Sequence, residues 1–161
     1  MCIRDRASPI PAAVNHSEEF FNHELKSIFM REWICVGRND ELLGSGDFLT
    51  YEIAGVSVLV VRQEDGSIRA FINACAHRFA RLLQEEKGTS KRFTCPYHSW
   101  TYNIAGDLVR APYMEMKDDF DKTKNGLRRL YLEVWEGFIY VSLSENQPKK
   151  VSSCLHSLRE N

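Results

Sequence analysis

Two short segments of this sequence each pair a thiol with an imidazole: Cys75-Ala76-His77 and, after seventeen further residues, Cys95-Pro96-Tyr97-His98. Thiols and imidazoles are side chains that bind zinc ions and iron–sulfur centres. A chance grouping would require four of the ten Cys and His residues in the chain to form two matched pairs without a cause. The two segments therefore predict a metal centre held by two loops.

The spacing within the first segment distinguishes two kinds of metal centre. A structural zinc ion needs all four donors around one tetrahedral point, and about two to four residues usually separate the ligands of a half-site. Only one residue separates Cys75 from His77. In a Rieske [2Fe-2S] cluster two cysteines bind one iron and two histidines the other, so this constraint does not apply. The spacing favours the Rieske cluster, and a zinc-binding module is the alternative.

The composition is that of one folded domain. The chain has 161 residues, of which 43% are hydrophobic and 27% charged, close to the averages for globular proteins. A net charge of −1 leaves no basic excess for nucleic acid. The longest purely apolar run, Val58 to Val61, is far shorter than the roughly 20 residues of a membrane helix. We expect neither nucleic acid nor a membrane as a partner.

The N-terminal residues do not resemble an export signal. Residues 1–14 lack the apolar stretch of a secretory signal and are interpreted as a disordered leader or a sequence scar outside the fold. Without export, a reducing cytoplasm is expected, in which the remaining cysteines are free thiols. Those cysteines are Cys2, Cys35 and Cys154.

Helical spacing is seen near the N-terminus, where four apolar side chains recur at it: Phe21, Leu25, Ile28 and Phe29. They predict an amphipathic helix over 17–31, with Asn15 and Glu18 in a capping arrangement. The rest of the chain alternates short β-rich runs with Gly-containing turns. These runs predict nine strands at 33–37, 48–53, 56–62, 67–72, 91–94, 100–103, 107–110, 128–135 and 137–143.

The predicted fold is all-β, with small antiparallel sheets and an N-terminal helix. The domain is expected to span 15–148. Residues 149–161 are interpreted as the start of a linker and helix, because Asn146 to Lys150 are polar and an apolar helical pattern begins again at Val151.

The stretch from Asn73 to Pro112 resembles the Rieske domain of ring-hydroxylating oxygenase α subunits. The resemblance is carried by the two metal-binding segments and by four neighbouring strings: Asn73-Ala74, Ala80-Arg81-Leu82-Leu83, Trp100-Thr101-Tyr102 and Ala111-Pro112. It extends upstream to Arg31-Glu32-Trp33 and downstream to Trp135-Glu136-Gly137-Phe138, and so covers about residues 18–148. The chain is similar to the N-terminal part of such a subunit, truncated at its C-terminal end.

The resemblance implies a Rieske cluster fold and a set of ligands. Cys75 and Cys95 would hold the inner iron of the [2Fe-2S] cluster, and His77 and His98 the outer iron. A mononuclear Fe(II) that activates O2 would lie in a C-terminal domain, so no catalytic residue is expected in this chain. The implied partners are a ferredoxin or flavin reductase, further copies in a homotrimer, and a β subunit. A free-standing Rieske ferredoxin is the alternative, although the helix and the about 70 residues before Cys75 favour the oxygenase.

The chain departs from the family pattern beside both histidines. The family usually has Gly where this sequence has Phe79 and Ser99. A side chain would cost strain there if the backbone needs a positive φ. Trp100 also replaces a hydroxyl that respiratory Rieske proteins direct at the cluster sulfurs. With fewer hydrogen bonds to sulfur, we expect a reduction potential at the low end of the Rieske range, about −150 mV.

Overall fold

The computed structural model describes residues 9–114 and 116–155. Ten strands form two antiparallel sheets: β1 (Ile34–Arg38), β2 (Asp47–Ile53), β3 (Val56–Arg62), β4 (Ile68–Ile72), β5 (Lys87–Thr89), β6 (Arg92–Thr94), β7 (Thr101–Asn103), β8 (Leu108–Arg110), β9 (Arg129–Trp135) and β10 (Phe138–Ser142). The larger sheet has the order β1-β10-β9-β4-β3-β2-β5, and the smaller has the order β6-β7-β8. The predicted all-β class is confirmed.

Two tight hairpins fix the register of the larger sheet. Ala54-Gly55 joins β2 to β3, and Glu136-Gly137 joins β9 to β10. The φ angles are 52° and 78° in the first turn and 48° and 80° in the second. Two successive positive φ values match the right-handed twist of the flanking strands, as two-residue hairpin turns require.

Strand β3 separates two hydrophobic cores. Leu59 and Val61 contribute to the core that also contains Cys75 and Cys95. Val58 and Val60, on the opposite face, contribute to a second core with residues of β1 and β10. Successive side chains of a strand point to opposite faces, so a strand buried on both faces is apolar at every position. This arrangement explains the uninterrupted run from Val58 to Val61.

The N-terminal helix lies where it was predicted, but its cap is a different residue. Helix α1 spans Glu18–Glu24 and continues into a π-helical turn at Leu25–Phe29. Its N-cap is Ser17, whose hydroxyl accepts a hydrogen bond from the Phe20 N–H at 3.1 Å. The predicted cap, Asn15, is wrong, because this residue ends a 3-10 turn at Ala12–Asn15. That turn straddles the predicted leader boundary, and residues 1–8 of the leader lie outside the described residues.

All nine predicted strands are present within two residues of their predicted ends. The tenth, β5, was not predicted. It pairs with the edge of β2, and all three of its residues are exposed. Because an exposed edge strand needs no alternation of apolar and polar residues, the sequence of Lys87–Thr89 carries no strand signal.

The residues after β10 contact the sheet before a short second helix, α2 (Val151–Cys154). The indole Nε1 of Trp33 donates to the Lys149 carbonyl at 2.6 Å, and the Val151 N–H donates to Glu133 Oε2 at 2.9 Å. Val151 is buried. The chain is therefore attached to the sheet at the point where the linker was predicted, and the boundary at residue 149 stays a prediction. No helix within the described residues is long and apolar enough to cross a membrane.

Candidate metal centre

Two loops of the same conformation carry the predicted ligands. We call Cys75–Ala80, which follows β4, the first cysteine loop and Cys95–Trp100, between β6 and β7, the second. In each loop the cysteine N–H donates to the carbonyl of the last residue, at 2.9 and 2.7 Å. In each loop the cysteine carbonyl also accepts from the N–H four residues later, at 2.9 and 3.0 Å.

The fifth residue of each loop has a left-handed backbone. The φ angle is 56° at Phe79 and 57° at Ser99. Both residues replace a glycine of the family pattern, so the sequence-based expectation of strain applies at both positions. Left-handed backbone costs a residue with a Cβ on the order of 1 kcal/mol or more.

The two cysteine side chains lie inside the domain. Cys75 is 1% exposed and Cys95 is 2% exposed. Burial raises the pKa of the Cys75 thiol; the hydrogen bond from Tyr102 lowers this pKa and the neighbouring Cys95 raises it. A buried thiol ionises when a metal supplies the positive charge that stabilises the thiolate. The donor chemistry of this pair fits an iron ion within the core.

The two imidazoles lie outside the thiols. His77 and His98 are exposed, and their ring centroids are 4.8 Å apart at an interplanar angle of 65°. Burial lowers the pKa of His77, and the neighbouring charges of His98 and Arg78 lower it further. A lowered pKa favours neutral imidazole, the form that binds metals. The structure thus brings the four predicted ligands together as a buried pair and an exposed pair.

Trp100 supports one of the imidazoles. Its indole is 3% exposed and stacks on the His77 ring at a centroid distance of 4.9 Å and an interplanar angle of 14°. Phe120 contacts the indole edge-on, at 5.5 Å. Sequence reasoning considered Trp100 as part of the family resemblance and as a missing hydroxyl, and the structure shows that its ring stacks on a predicted ligand.

Tyr102 lies in the candidate site, and sequence reasoning did not identify it as a site residue. Its buried hydroxyl lies 3.2 Å from Cys75 Sγ and accepts a hydrogen bond from the Ala76 N–H at 3.0 Å. Burial raises the pKa of Tyr102, so its hydroxyl keeps its proton and can donate to a Cys75 thiolate. A hydroxyl that can donate to a predicted ligand sulfur is therefore present, although position 100 has no hydroxyl. The sequence signal for Tyr102 was its place in the Trp100-Thr101-Tyr102 string, four residues after His98.

The arrangement differs from that of a single-ion site. Among residues 9–114 and 116–155, no group of three or more His, Cys, Asp or Glu side chains is arranged to hold one metal ion. A tetrahedral zinc ion requires such convergence. A buried thiol pair with a separate imidazole pair is instead the donor set of a cluster with two chemically distinct irons.

Residues 32–128 match the family model of the Rieske [2Fe-2S] domain. The chain is 38% identical over 145 residues to the glycine betaine monooxygenase oxygenase subunit of Pseudomonas aeruginosa strain UCBPP-PA14, covering 90% of this chain and 34% of that protein. It is 37% identical to the carnitine monooxygenase oxygenase subunit of Escherichia coli K12, covering 85% and 37%. The chain spans about a third of the length of these curated relatives.

Solved structures agree in fold. The chain superimposes on the apo form of the quaternary ammonium Rieske monooxygenase CntA with a TM-score of 0.87 and 33% identity, covering 94% of this chain and 44% of that one. Naphthalene 1,2-dioxygenase from Rhodococcus sp. gives a TM-score of 0.87 and 31% identity, covering 93% and 34%. With the family model matched over more than half of its length, this chain belongs to the Rieske [2Fe-2S] domain family.

Proposed function

We propose that this chain transfers single electrons as the N-terminal domain of a Rieske oxygenase α subunit. Cys75 and Cys95 would hold the inner iron of the [2Fe-2S] cluster, and His77 and His98 the outer iron. The observation that carries the proposal is the burial of both thiols beneath two exposed imidazoles, on loops of one conformation. When bound, the cluster supplies reversible one-electron chemistry.

Different side chains of this domain would have different roles at the site. The core around Cys75 and Cys95 excludes water from the thiolates. Tyr102 would direct its hydroxyl proton at Cys75 Sγ, which lies 3.2 Å away, and Trp100 would hold the plane of the His77 ring on which it stacks. The exposed edges of His77 and His98 leave the outer side of the site open to an electron donor or acceptor.

The wider activity is inferred from the relatives. They are named for the monooxygenation of glycine betaine and carnitine and for naphthalene dioxygenation. We infer that the full-length protein uses O2 to hydroxylate an organic substrate at a mononuclear iron in a domain C-terminal to this one. Oxygenase subunits of this kind work with a reductase or ferredoxin and as oligomers. A ferredoxin or flavin reductase as donor, a homotrimer and a β subunit are the specific partners proposed.

The cellular location follows from cysteine chemistry. The four cysteines of the described residues are free, and Cys35 and Cys154 are exposed. Exposed thiols and an iron–sulfur cofactor are suited to a reducing compartment. We therefore propose the cytoplasm.

Variants of the four proposed ligands test the assignment. The chain is reconstituted anaerobically with iron and sulfide, and iron, sulfide and the visible spectrum are measured. Cys75→Ser and His98→Ala should purify colourless, because each removes one of only four protein ligands. Cys35→Ser, which removes an exposed thiol of β1, is the matched control and should keep the red-brown colour.

Two outcomes would contradict the proposal. One is a full complement of two irons and two sulfides in Cys75→Ser. The other is a colourless wild-type chain with one zinc ion, which would establish the zinc-binding module instead.

A further inference from the structure

The two cysteine loops are closed at their bases in different ways. The second loop is closed by the backbone ladder of β6 and β7, in which Thr94 pairs with Thr101. The first loop has one isolated bridge, between Ala74 and Arg81. The backbone alone therefore holds the first loop less firmly than the second, although both carry predicted ligands.

The buried carboxamide of Asn73 adds side-chain hydrogen bonds at the base of the first cysteine loop. Asn73, which is 1% exposed, donates through Nδ2 to the Leu83 carbonyl at 2.8 Å and accepts from the Leu83 N–H at 3.1 Å. Its Nδ2 also lies 3.2 Å from Ser57 Oγ, and its backbone N–H donates to the Ser57 carbonyl at 2.8 Å. The segment entering the first loop is thereby bonded to the segment leaving it and to Ser57.

The segment leaving the loop is bonded to the same hydroxyl through Arg81. Arg81 donates to Ser57 Oγ from Nε at 3.0 Å and from Nη2 at 2.6 Å, and it also pairs with Glu52. The Arg81 and Glu52 side chains are 40% and 54% exposed, so their ion pair adds little by itself. The shared acceptor is Ser57 Oγ, on β3, whose neighbours Val58 to Val61 are fully buried.

We propose that Ser57 is a positioning residue of the cluster site: its hydroxyl fastens both ends of the first cysteine loop to β3 and so fixes Cys75 and His77 relative to the second loop. This inference rests on the proposed ligand set. Ser57 touches neither ligand and acts through Asn73 and Arg81. Without its hydroxyl, the Asn73 and Arg81 side chains lose their common acceptor, while the backbone bridge, the Asn73–Leu83 pair and the Asn73 N–H bond to the Ser57 carbonyl remain.

The test compares Ser57→Ala with a matched serine variant in the reconstituted full chain. Ser142→Ala is the control, because it removes a buried hydroxyl that donates to the Arg31 carbonyl at 3.1 Å, in a strand outside the core of the cysteine loops. Bleaching of the visible spectrum by an iron chelator is followed at temperatures equally far below each Tm, and electron paramagnetic resonance of the reduced protein is recorded. We expect Ser57→Ala to bleach about fivefold faster and to broaden the spectrum. The two bonds from the exposed Arg81 side chain add little, so the loss corresponds to about one hydrogen bond, that from the buried Asn73.

A conservative variant and a ligand variant make the outcome decisive. Ser57→Thr keeps the hydroxyl and should restore the wild-type rate and spectrum, while Ser142→Ala should match wild type in both. Equal bleaching and identical spectra for Ser57→Ala and wild type would overturn the positioning role, as would a Ser57→Thr rate equal to that of Ser57→Ala. Retention of two irons in Cys75→Ser would instead overturn the ligand set on which the inference rests.

Discussion

Phe79 and Ser99 carry side chains at two positions of the site where the backbone conformation favours glycine. Each has a φ near 57°, where an L residue is strained and glycine is not. Phe79 is 81% exposed, so its ring gains little from burial that could offset the strain. The cost is carried within two residues of the predicted ligands His77 and His98, where the conformation of the loop matters most.

Glycine at either position should therefore stabilise the chain. We expect Phe79→Gly and Ser99→Gly each to raise the free energy of unfolding by about 0.5 to 1 kcal/mol and the Tm by about 2 °C, since relief of strain exceeds the added entropy of the unfolded state. Thermal unfolding of the metal-free and reconstituted chains measures both. Glu64→Gly, in an exposed turn without positive φ, is the control and should lower the Tm. A fall in Tm for both loop variants would show that the backbone at Phe79 and Ser99 is not strained.

The Tyr102 hydroxyl should raise the reduction potential. A donor to a ligand sulfur stabilises the reduced state, which carries more negative charge, more than the oxidised state. Tyr102→Phe removes this donor, and we expect a potential lower by about 40 mV, corresponding to about 1 kcal/mol for one electron. Voltammetry of the reconstituted chain measures it. Tyr140→Phe, in β10 opposite Cys35, is the control and should leave the potential unchanged. An unchanged potential in Tyr102→Phe would show that the hydroxyl does not donate to the sulfur.

At the scale of elements, the β7–β8 hairpin is held against the larger sheet by close contacts. A Cβ at Gly106, where φ is 89°, would overlap the ring of Phe71 on β4. The Gly106 carbonyl accepts from the Leu127 N–H at 2.8 Å, and Gln63 Nε2 donates to the Ile104 carbonyl at 2.8 Å. These contacts place the strand that carries Tyr102 relative to the strand that leads into the first cysteine loop.

Replacing each of two glycines by alanine distinguishes the cost of backbone strain from the cost of steric overlap. Gly55 has a φ of 78° and nothing within 4 Å of an added Cβ, so Gly55→Ala should cost only the backbone term, about 1 kcal/mol. Gly106→Ala adds overpacking of about 1 to 3 kcal/mol. Urea unfolding should therefore give a loss for Gly106→Ala at least twice that for Gly55→Ala. Equal losses would mean that the hairpin shifts away from Phe71 without cost.

The predictability of the elements follows from where each one is buried. The strands found from the sequence have apolar runs or alternation, because at least one of their faces contacts a core. β5 has no buried face, and nothing in Lys87–Thr89 distinguishes it from a loop. The Ser17 cap was missed because Asn15 has the same capping chemistry two residues earlier, and only the backbone decides between them.

For the candidate site too, the sequence predicted the features that are local in sequence and missed those that depend on the fold. Residue types and spacing within two short segments identified the four proposed ligands, since each pair is local in sequence. Tyr102 contacts Cys75 from 27 residues away, and Ser57 contacts Asn73 from 16 residues away. Contacts across such separations depend on strand register, which short motifs do not encode.

At the scale of the whole molecule, electron transfer and oxygen chemistry are expected to be separable. A mononuclear oxygenase iron needs two histidines and a carboxylate. His77 and His98 are assigned to the cluster, His16 precedes α1, and His23 lies in the last turn of α1. His156 lies outside the described residues. No carboxylate-bearing triad is formed among the residues that the structure describes.

The reconstituted chain of residues 1–161 should therefore take one electron from dithionite and form no hydroxylated product. The test supplies Fe(II), a reductant, O2 and a panel of aromatic and quaternary ammonium substrates. Oxygen incorporation is followed by mass spectrometry, together with the iron content. Product formation coupled to a third iron per chain would contradict this prediction and place the catalytic iron within these residues.

The unequal closure of the two cysteine loops has a consequence for tolerance to mutation. Hydrogen bonds of the backbone, such as those closing the second loop, survive every substitution except proline. Those made by the side chains of Ser57, Asn73 and Arg81 are lost when the residue is replaced by one without the same donor or acceptor. Random mutation of this domain should damage the half of the site with Cys75 and His77 more often than the half with Cys95 and His98.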